Sequence, residues 1–202
     1  MRFPADTALI VVDVQGAIDD PAWGPRNNPR AEQAIALLLH AWRAENLPII
    51  HVRHDSVETR SPYWPGAPGH PFKPEAEPAA DEIVVAKTTP DAFAGTELEA
   101  RLDAFGATTL VVCGVLTHNS VESTVRAAAS LGYRVFAVAD ACWAVDVVDL
   151  AGQSWPAEAV HRLSLTHMDR EFARVVSLRA ALDAAATAKQ RQRMKAARGG
   201  AA

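Results

Sequence analysis

The chain has 202 residues, of which 49% are hydrophobic and 22% charged, and its formal net charge is −4 at pH 7. This composition is typical of one globular domain with a sizeable core, and the lack of a basic excess argues against a nucleic-acid partner. The chain starts without an apolar leader, and no run approaches the roughly 18 apolar residues of a membrane span, so we expect a cytoplasmic protein with no membrane partner.

Short apolar runs alternate with amphipathic stretches along the chain, a pattern typical of strand-helix-strand units. The predicted strands are residues 8–14, 47–52, 83–86, 108–113, 133–139 and 172–176. The predicted helices are residues 28–45, 96–104, 119–131 and 156–168, with one more helix after the last strand. The strands are too uniformly apolar for a sheet with one wet face. We therefore predict an α/β fold: a doubly wound, mostly parallel sheet with helices on both faces.

Two segments depart from this alternation. Residues 61–74 contain prolines and glycines that exclude a helix or a central strand, and long loops in compact domains are often functional. The aromatic side chains of Tyr63, Trp64 and Phe72 suggest that this loop helps to wall a pocket, although a structural cover at a subunit contact remains an alternative. Residues 184–202 are rich in Ala, Lys and Arg and are predicted to form a helical tail beyond a domain of residues 1–183.

The two cysteines, Cys113 and Cys142, lie in or after predicted buried strands. Disulfides are rare in a reducing compartment, and free cysteine behaves as a small buried hydrophobe. We therefore predict two buried free thiols.

Charged residues follow two of the buried strands. Asp13 ends the first strand, and Lys87 ends the strand of residues 83–86. In open parallel sheets, ligands bind outside the carboxyl ends of the strands, where these side chains should converge. A buried carboxylate is costly unless it is paired, so Lys87 is a candidate partner for Asp13. A helix cap for Asp13 and a solvated charge for Lys87 are the structural alternatives.

A third strand end carries Ser120. Residues 110–126 read as a buried strand, a tight turn and a helix whose first turn contains this serine. Such a turn presents a nucleophile at the same edge of the sheet as Asp13 and Lys87.

Together the three segments resemble the isochorismatase-like cysteine hydrolases in order and spacing, over roughly residues 6–180. In that family the position of Ser120 holds the catalytic cysteine. The resemblance implies a three-layer α/β fold, a homodimer or homotetramer, no cofactor, and hydrolysis of a C–N bond in a small amide, carbamoyl or ureido compound.

The resemblance also implies individual roles. Asp13 is the expected acid and base, Lys87 the orienting cation and residue 120 the nucleophile. The implied oxyanion hole consists of the backbone N–H groups of Leu116 and Ser120, with a cis peptide bond between Val115 and Leu116.

Serine at the nucleophile position weakens this chemistry, because its hydroxyl ionises several units above the thiol pKa of about 8.5. We therefore expect little or no amidase activity from the chain as written. Three explanations stay open: an engineered Cys-to-Ser substitution, which we favour because the surrounding motif is intact, a natural variant with altered chemistry, or a natural protein that binds without turnover.

Several further residues are candidates for substrate contact. His51, His54 and Asp55 invite a metal interpretation, but their spacing does not match a known ligand set, so we predict no metal site. The order His118-Asn119 is inverted relative to the family pattern. The predicted substrate contacts are Arg53, His54, Trp64, Phe72, His118 and Asn119.

Two other functions remain as alternatives. One is a vinyl ether hydrolase of the isochorismatase type, in which an Asp protonates the substrate and residue 120 is not a nucleophile. The other is a small-molecule binder without catalysis. The proline-rich loop and the context of residues 121–124 favour the amidase relatives.

Overall fold

Six parallel strands form the central sheet, and a short hairpin supplies two more strands. In a computed structural model, which describes residues 1–188, the strands are β1 (Ala8–Val12), β2 (Ile49–His54), β3 (Ile83–Lys87), β4 (Thr109–Val115), β5 (Arg134–Trp143), β6 (Val147–Val148), β7 (Ser154–Trp155) and β8 (Arg174–Val176). The helices are α1 (Ala31–Ala44), α2 (Leu98–Phe105), α3 (Glu122–Ser130), α4 (Ala157–Met168) and α5 (Leu178–Ala185).

The strand order is β3-β2-β1-β4-β5-β8, and every neighbouring pair is parallel. The chain first builds outward from β1 through β2 to β3, and then starts again at β4 on the other side of β1. The pair β1 and β4 is therefore the point where the winding direction changes, which is where doubly wound sheets bind ligands. The predicted fold class is confirmed.

Burial explains why the strands are so apolar. All residues of β1 and β4 are buried, because helices flank the sheet. Helix α1 packs beside α5, and α3 packs beside α4. The inner face of α1 buries Ile35, Leu38 and Trp42, and the indole N–H of Trp42 donates to the carbonyl of Thr7 at 3.1 Å. Each large side chain buried in this way contributes about 1.5–3 kcal/mol to folding.

The main differences from the predicted elements lie around β5. This strand continues to Trp143, beyond the predicted end at 139, and its register with β4 shifts between Val112 and Gly114. Between the pairs Val112–Ala137 and Gly114–Cys142, β5 contains three more residues than β4, so the irregularity lies in β5. The hairpin of β6 and β7 was not predicted, because two-residue strands leave no periodic signal.

The loop prediction for residues 61–74 is confirmed, since no α-helix or strand of the sheet forms there and a 3₁₀ turn begins only at Pro74. Helix α5 crosses the predicted boundary between residues 183 and 184, and Ala184 and Ala185 are buried. The rest of the predicted tail, residues 189–202, lies outside the described residues. Within residues 1–188 no helix is long and apolar enough to cross a membrane. Cys113 and Cys142 are buried free thiols, as predicted.

Candidate active site

Three strand ends bring Asp13, Lys87 and Ser120 into direct contact. Asp13 follows β1, Lys87 is the last residue of β3, and Ser120 lies in a π-helical turn, Thr117–Val121, after β4. The Lys87 ammonium donates to Asp13 Oδ2 at 2.6 Å, to Ser120 Oγ at 3.2 Å and to the carbonyl of Thr89 at 2.9 Å. These bonds use all three N–H groups of a charged lysine. Lys87 is therefore arranged as a cation and not as a base.

Burial sets the protonation of Asp13. Its residue is only 4% exposed, and this burial raises the pKa of the carboxyl to about 6, although Lys87 opposes the shift. The second carboxylate oxygen, Oδ1, is buried and accepts no hydrogen bond. Asp13 therefore combines an oxygen held by Lys87 with a free oxygen that can take and return a proton near neutral pH.

The backbone around Asp13 is unusual. Its φ is +56°, a left-handed conformation that costs a non-glycine residue about 1–2 kcal/mol. The Asp13 N–H still donates to the carbonyl oxygen of Val52, a residue of β2, at 2.9 Å. The chain thus turns sharply as it leaves the sheet. Strained backbone of this kind is common where a side chain is held for function.

Gln15 joins the ends of β1 and β2 to the proline-rich loop. Its side chain accepts from the His54 N–H at 2.7 Å and donates to the carbonyls of His54 at 3.1 Å and His70 at 2.7 Å. Three bonds from one fully buried amide fix the loop against the sheet.

The turn that carries Ser120 begins with a cis peptide bond between Val115 and Leu116. The next residues form one π-helical turn, in which the Val121 N–H donates to the Leu116 carbonyl at 3.2 Å. The cis peptide bond that the family resemblance implies is therefore present. Leu116 and Ser120 both line the cavity described next.

A cavity of about 290 Å³ opens in front of the Asp13 carboxylate and Ser120. This volume suits a small molecule. The walls combine apolar and polar side chains: Asp13, Ile18, Trp23, His54, Ser56, Val57, Glu58, Ser61, Tyr63, Thr88, Pro90, Val115, Leu116, Asn119 and Ser120. Of the predicted substrate contacts, His54 and Asn119 line this cavity.

Residues 7–180 match the family model described as the isochorismatase domain. The chain belongs to the isochorismatase family. A crystal structure of a hydrolase of this family from Chromobacterium violaceum superposes with a TM-score of 0.89 and 53% identity, over 92% of this chain and 96% of that one.

Two relatives of this chain have named activities. A streptothricin hydrolase from Streptomyces noursei is 38% identical over 69% of this chain and 50% of its own length. A ureidoacrylate amidohydrolase from Methylobacterium radiotolerans is 28% identical over 84% of this chain and 75% of its own length. The chain is thus a hydrolase-family protein with relatives that include an amidohydrolase.

Arg53 and His54 point to opposite sides of β2, because successive strand residues alternate between faces. His54 lines the cavity, whereas the Arg53 guanidinium binds Asp55 at 2.8 and 3.1 Å and does not. The same alternation separates His51 from His54, and His51 instead contacts Glu82 at 2.9 Å. Within residues 1–188 no group of three His, Cys, Asp or Glu side chains is placed to hold a metal ion.

Three other predicted contacts also lie away from the cavity. Trp64 lines a neighbouring, larger groove of about 830 Å³ on the outer side of the loop. Phe72 packs edge-on against the ring of His51, with 5.7 Å between centroids. The half-buried ring of His118 is not among the lining residues. Sequence position alone does not reveal which way loop side chains turn.

Part of the wall was not among the predicted substrate contacts. Tyr63 was expected to help wall a pocket but not to contact substrate, and it is buried with its hydroxyl 3.5 Å from the Asp13 carbonyl. Trp23 meets the Tyr63 ring edge-on, with 6.3 Å between centroids. The one available signal was the concentration of aromatic residues in and before the loop.

Helix α4 packs against the π-helical turn Thr117–Val121, which contains Ser120. His161 Nδ1 lies 2.8 Å from Thr117 Oγ1, and the Ser164 hydroxyl lies 3.1 Å from the Thr117 carbonyl and 2.5 Å from Glu122 Oε2. His161 and Ser164 are three apart, so both face the same turn. Neither residue was identified from the sequence.

We expect Ser164→Ala to destabilise the fold by about 1–3 kcal/mol, because it removes the one hydroxyl hydrogen that lies between the Thr117 carbonyl and the Glu122 carboxylate. For a domain of this size, each kcal/mol lowers the melting temperature by about 2–4 °C. Calorimetry of the two proteins measures the change. The matched control is Ser130→Ala on exposed α3, which should cost less than about 0.5 kcal/mol. Equal melting temperatures for both variants would contradict the role of α4.

Proposed function

We propose that the chain is built to hydrolyse a C–N bond of a small amide, carbamoyl or ureido compound, and that Ser120 in place of cysteine impairs it. The contact of the Lys87 ammonium with both Asp13 Oδ2 and Ser120 Oγ carries the proposal. Asp13 and Ser120 line one cavity, and Lys87 contacts both, which supports roles for them as acid–base group, nucleophile position and orienting cation. The amidohydrolase among the relatives supports the same bond type.

The proposed reaction uses a thiol at position 120. Oδ1 of Asp13 takes the thiol proton, and the sulfur forms a bond to the carbonyl carbon of the amide. The carbonyl oxygen becomes an oxyanion, to which the N–H groups of residues 116 and 120 would donate hydrogen bonds. Asp13 then returns the proton to the nitrogen as the C–N bond breaks. Water, deprotonated by Asp13, releases the acyl group from the sulfur.

Serine fits this scheme poorly. A carboxylate with a pKa of about 6 is a weak base for a hydroxyl that ionises well above a thiol. Lys87 cannot replace it, because all its N–H groups are engaged as donors. The site therefore favours a cysteine nucleophile.

The test is ammonia release from a panel of primary amides and ureido compounds by this chain and by Ser120→Cys. We expect the cysteine form to turn over at least one compound about 100-fold faster or more. Ser130→Cys, which adds an exposed thiol elsewhere, is the matched control and should match the parent. If neither the parent nor Ser120→Cys releases ammonia, the amidase proposal is wrong, and hydrolysis of a vinyl ether becomes the next reaction to assay.

A further inference from the structure

The cavity wall contains carboxylates but no free cation. Among residues 1–188, the lining side chains include Asp13 and Glu58 but neither arginine nor lysine. Lys87 is not a lining residue, and its three N–H groups already donate to Asp13, Thr89 and Ser120. Burial and the charge of Lys87 lower the pKa of His54 to about 4, so this ring is neutral at pH 7. An anionic substrate would therefore find no lysine or arginine side chain among these lining residues.

The cations around the cavity are committed elsewhere or point away. Arg53 is held by both oxygens of Asp55, and Lys73 is held by Asp19 at 2.6 Å. Arg60 is exposed and lines the neighbouring groove. None of these three side chains lines the cavity.

Glu58 is an acidic residue of the cavity lining, and its side chain has no partner among residues 1–188. The backbone is fixed on both sides: its N–H donates to Ser56 Oγ at 3.2 Å, and its carbonyl accepts from the Ser61 N–H at 3.0 Å. Its side chain has no hydrogen bond or ion pair in the described structure, and the residue is exposed. A carboxylate held at the rim of a ligand cavity is free to pair with a charge on the ligand.

Aromatic rings line the same cavity. Trp23 and Tyr63 meet edge-on, and the faces of such rings attract cations. Burial, and after it the charges of Asp13 and Asp19, raise the pKa of the Tyr63 hydroxyl well above its ordinary value, so this hydroxyl stays neutral. Two buried polar atoms of lining residues, Asp13 Oδ1 and His54 Nδ1, also lack hydrogen-bond partners in the described structure.

We propose that the cavity selects small amides that carry a positive charge and disfavours those that carry a carboxylate, with Glu58 as the counter-ion. The inference rests on the proposed amide hydrolysis and specifies its substrate class. The inference also predicts that isochorismate is a poor substrate, because that vinyl ether carries two carboxylates, which the carboxylates of the cavity wall would repel.

Three primary amides of matched length test the inference in the Ser120→Cys form: 5-aminopentanamide, pentanamide and glutaramate. Ammonia release gives kcat/KM for each. We expect the cationic amide to exceed the anionic one by about tenfold or more, with the neutral amide between them, and the difference to shrink as salt is added.

The variant Glu58→Gln locates the effect. It should lower the ratio of kcat/KM for 5-aminopentanamide over glutaramate by about threefold or more. The matched control Glu75→Gln alters an exposed carboxylate outside the cavity and should leave that ratio unchanged. Equal rates for the three amides, a preference for glutaramate, or a ratio that Glu58→Gln does not change would each overturn the inference while leaving amide hydrolysis intact.

Failure of the proposed function gives a different result. If no amide is turned over, titration calorimetry of the unmodified Ser120 chain with 5-aminopentanamide and with glutaramate still measures charge selection. Tighter binding of the cation that Glu58→Gln weakens would support the inference with the reaction rejected. Tighter or equal binding of glutaramate would overturn both.

Discussion

Replacing Asp13 by Asn in the Ser120→Cys form should lower kcat/KM for amide hydrolysis by about 10⁴-fold, the upper end of what one acid–base group contributes. The reason is that Oδ1 of Asp13 is the one buried, unpartnered carboxylate oxygen beside the nucleophile. An amide in its place cannot take the thiol proton or return it to the leaving nitrogen. Steady-state ammonia release at pH 7 to 8 measures the loss.

The fold needs its own control, because the buried Lys87 would lose its counter-charge in Asp13→Asn. Removing one partner of a buried ion pair costs about 3–5 kcal/mol. The double variant Asp13→Asn with Lys87→Met removes both charges and should recover much of that stability without recovering activity. If either folded variant keeps more than about a tenth of the parent activity, Asp13 is not the acid and base.

The same carboxylate predicts the acid limb of the pH profile. Asp13 must be ionised to accept the proton, and burial raises its pKa to about 6. In the Ser120→Cys form, kcat/KM should therefore fall as pH drops below about 6, approaching tenfold per unit. Any residual activity of Asp13→Asn should lack this limb. A limb near the ordinary aspartate pKa of about 4 would show that the site is more solvated than its burial indicates.

Gly114→Ala should have the largest effect on stability, above about 4 kcal/mol, with a melting temperature at least about 8 °C lower or no folded protein. Gly114 lies in β4 at the register shift with β5 and has a φ of +123°, and an added Cβ would lie 2.1 Å from the Val12 carbonyl oxygen and 2.7 Å from its nitrogen. Both atoms belong to the backbone of β1, so no side-chain movement relieves the overlap.

Gly132→Ala is the matched control for this prediction. Gly132 also has a positive φ of +92°, but nothing lies within 4 Å of an added Cβ. Only the backbone conformation is then penalised, by about 1–2 kcal/mol. Thermal unfolding of both variants separates the two contributions. Similar melting temperatures would contradict the close approach of β1 and β4, and with it the geometry that brings Asp13 towards Ser120.

The convergence of the three candidate catalytic residues was predictable because each follows a strand. Asp13, Lys87 and Ser120 each follow a short apolar run, and the carboxyl ends of parallel strands must meet at one edge of a sheet. A local pattern combined with one topological rule was therefore sufficient to predict their convergence. The distances, and the use of every Lys87 donor, required the folded structure.

The wall of the cavity was much less predictable. Trp64 was expected there, and the loop instead turns Tyr63 inward, since that ring packs between His54 and Trp23. Arg53 was expected beside His54, but its guanidinium binds Asp55. In both cases adjacent residues take opposite directions, and contacts with distant segments select between them.

The alternation of strands and helices, the parallel sheet and the three strand-end residues could be predicted from the sequence, because these features depend on apolar periodicity and on chain direction. The charged residues of the cavity wall, the inward turn of Tyr63 and the contacts of His161 and Ser164 with Thr117 are visible only in the folded structure. Those features depend on side chains from segments far apart in the chain, whose contacts leave no periodic or local pattern in the sequence.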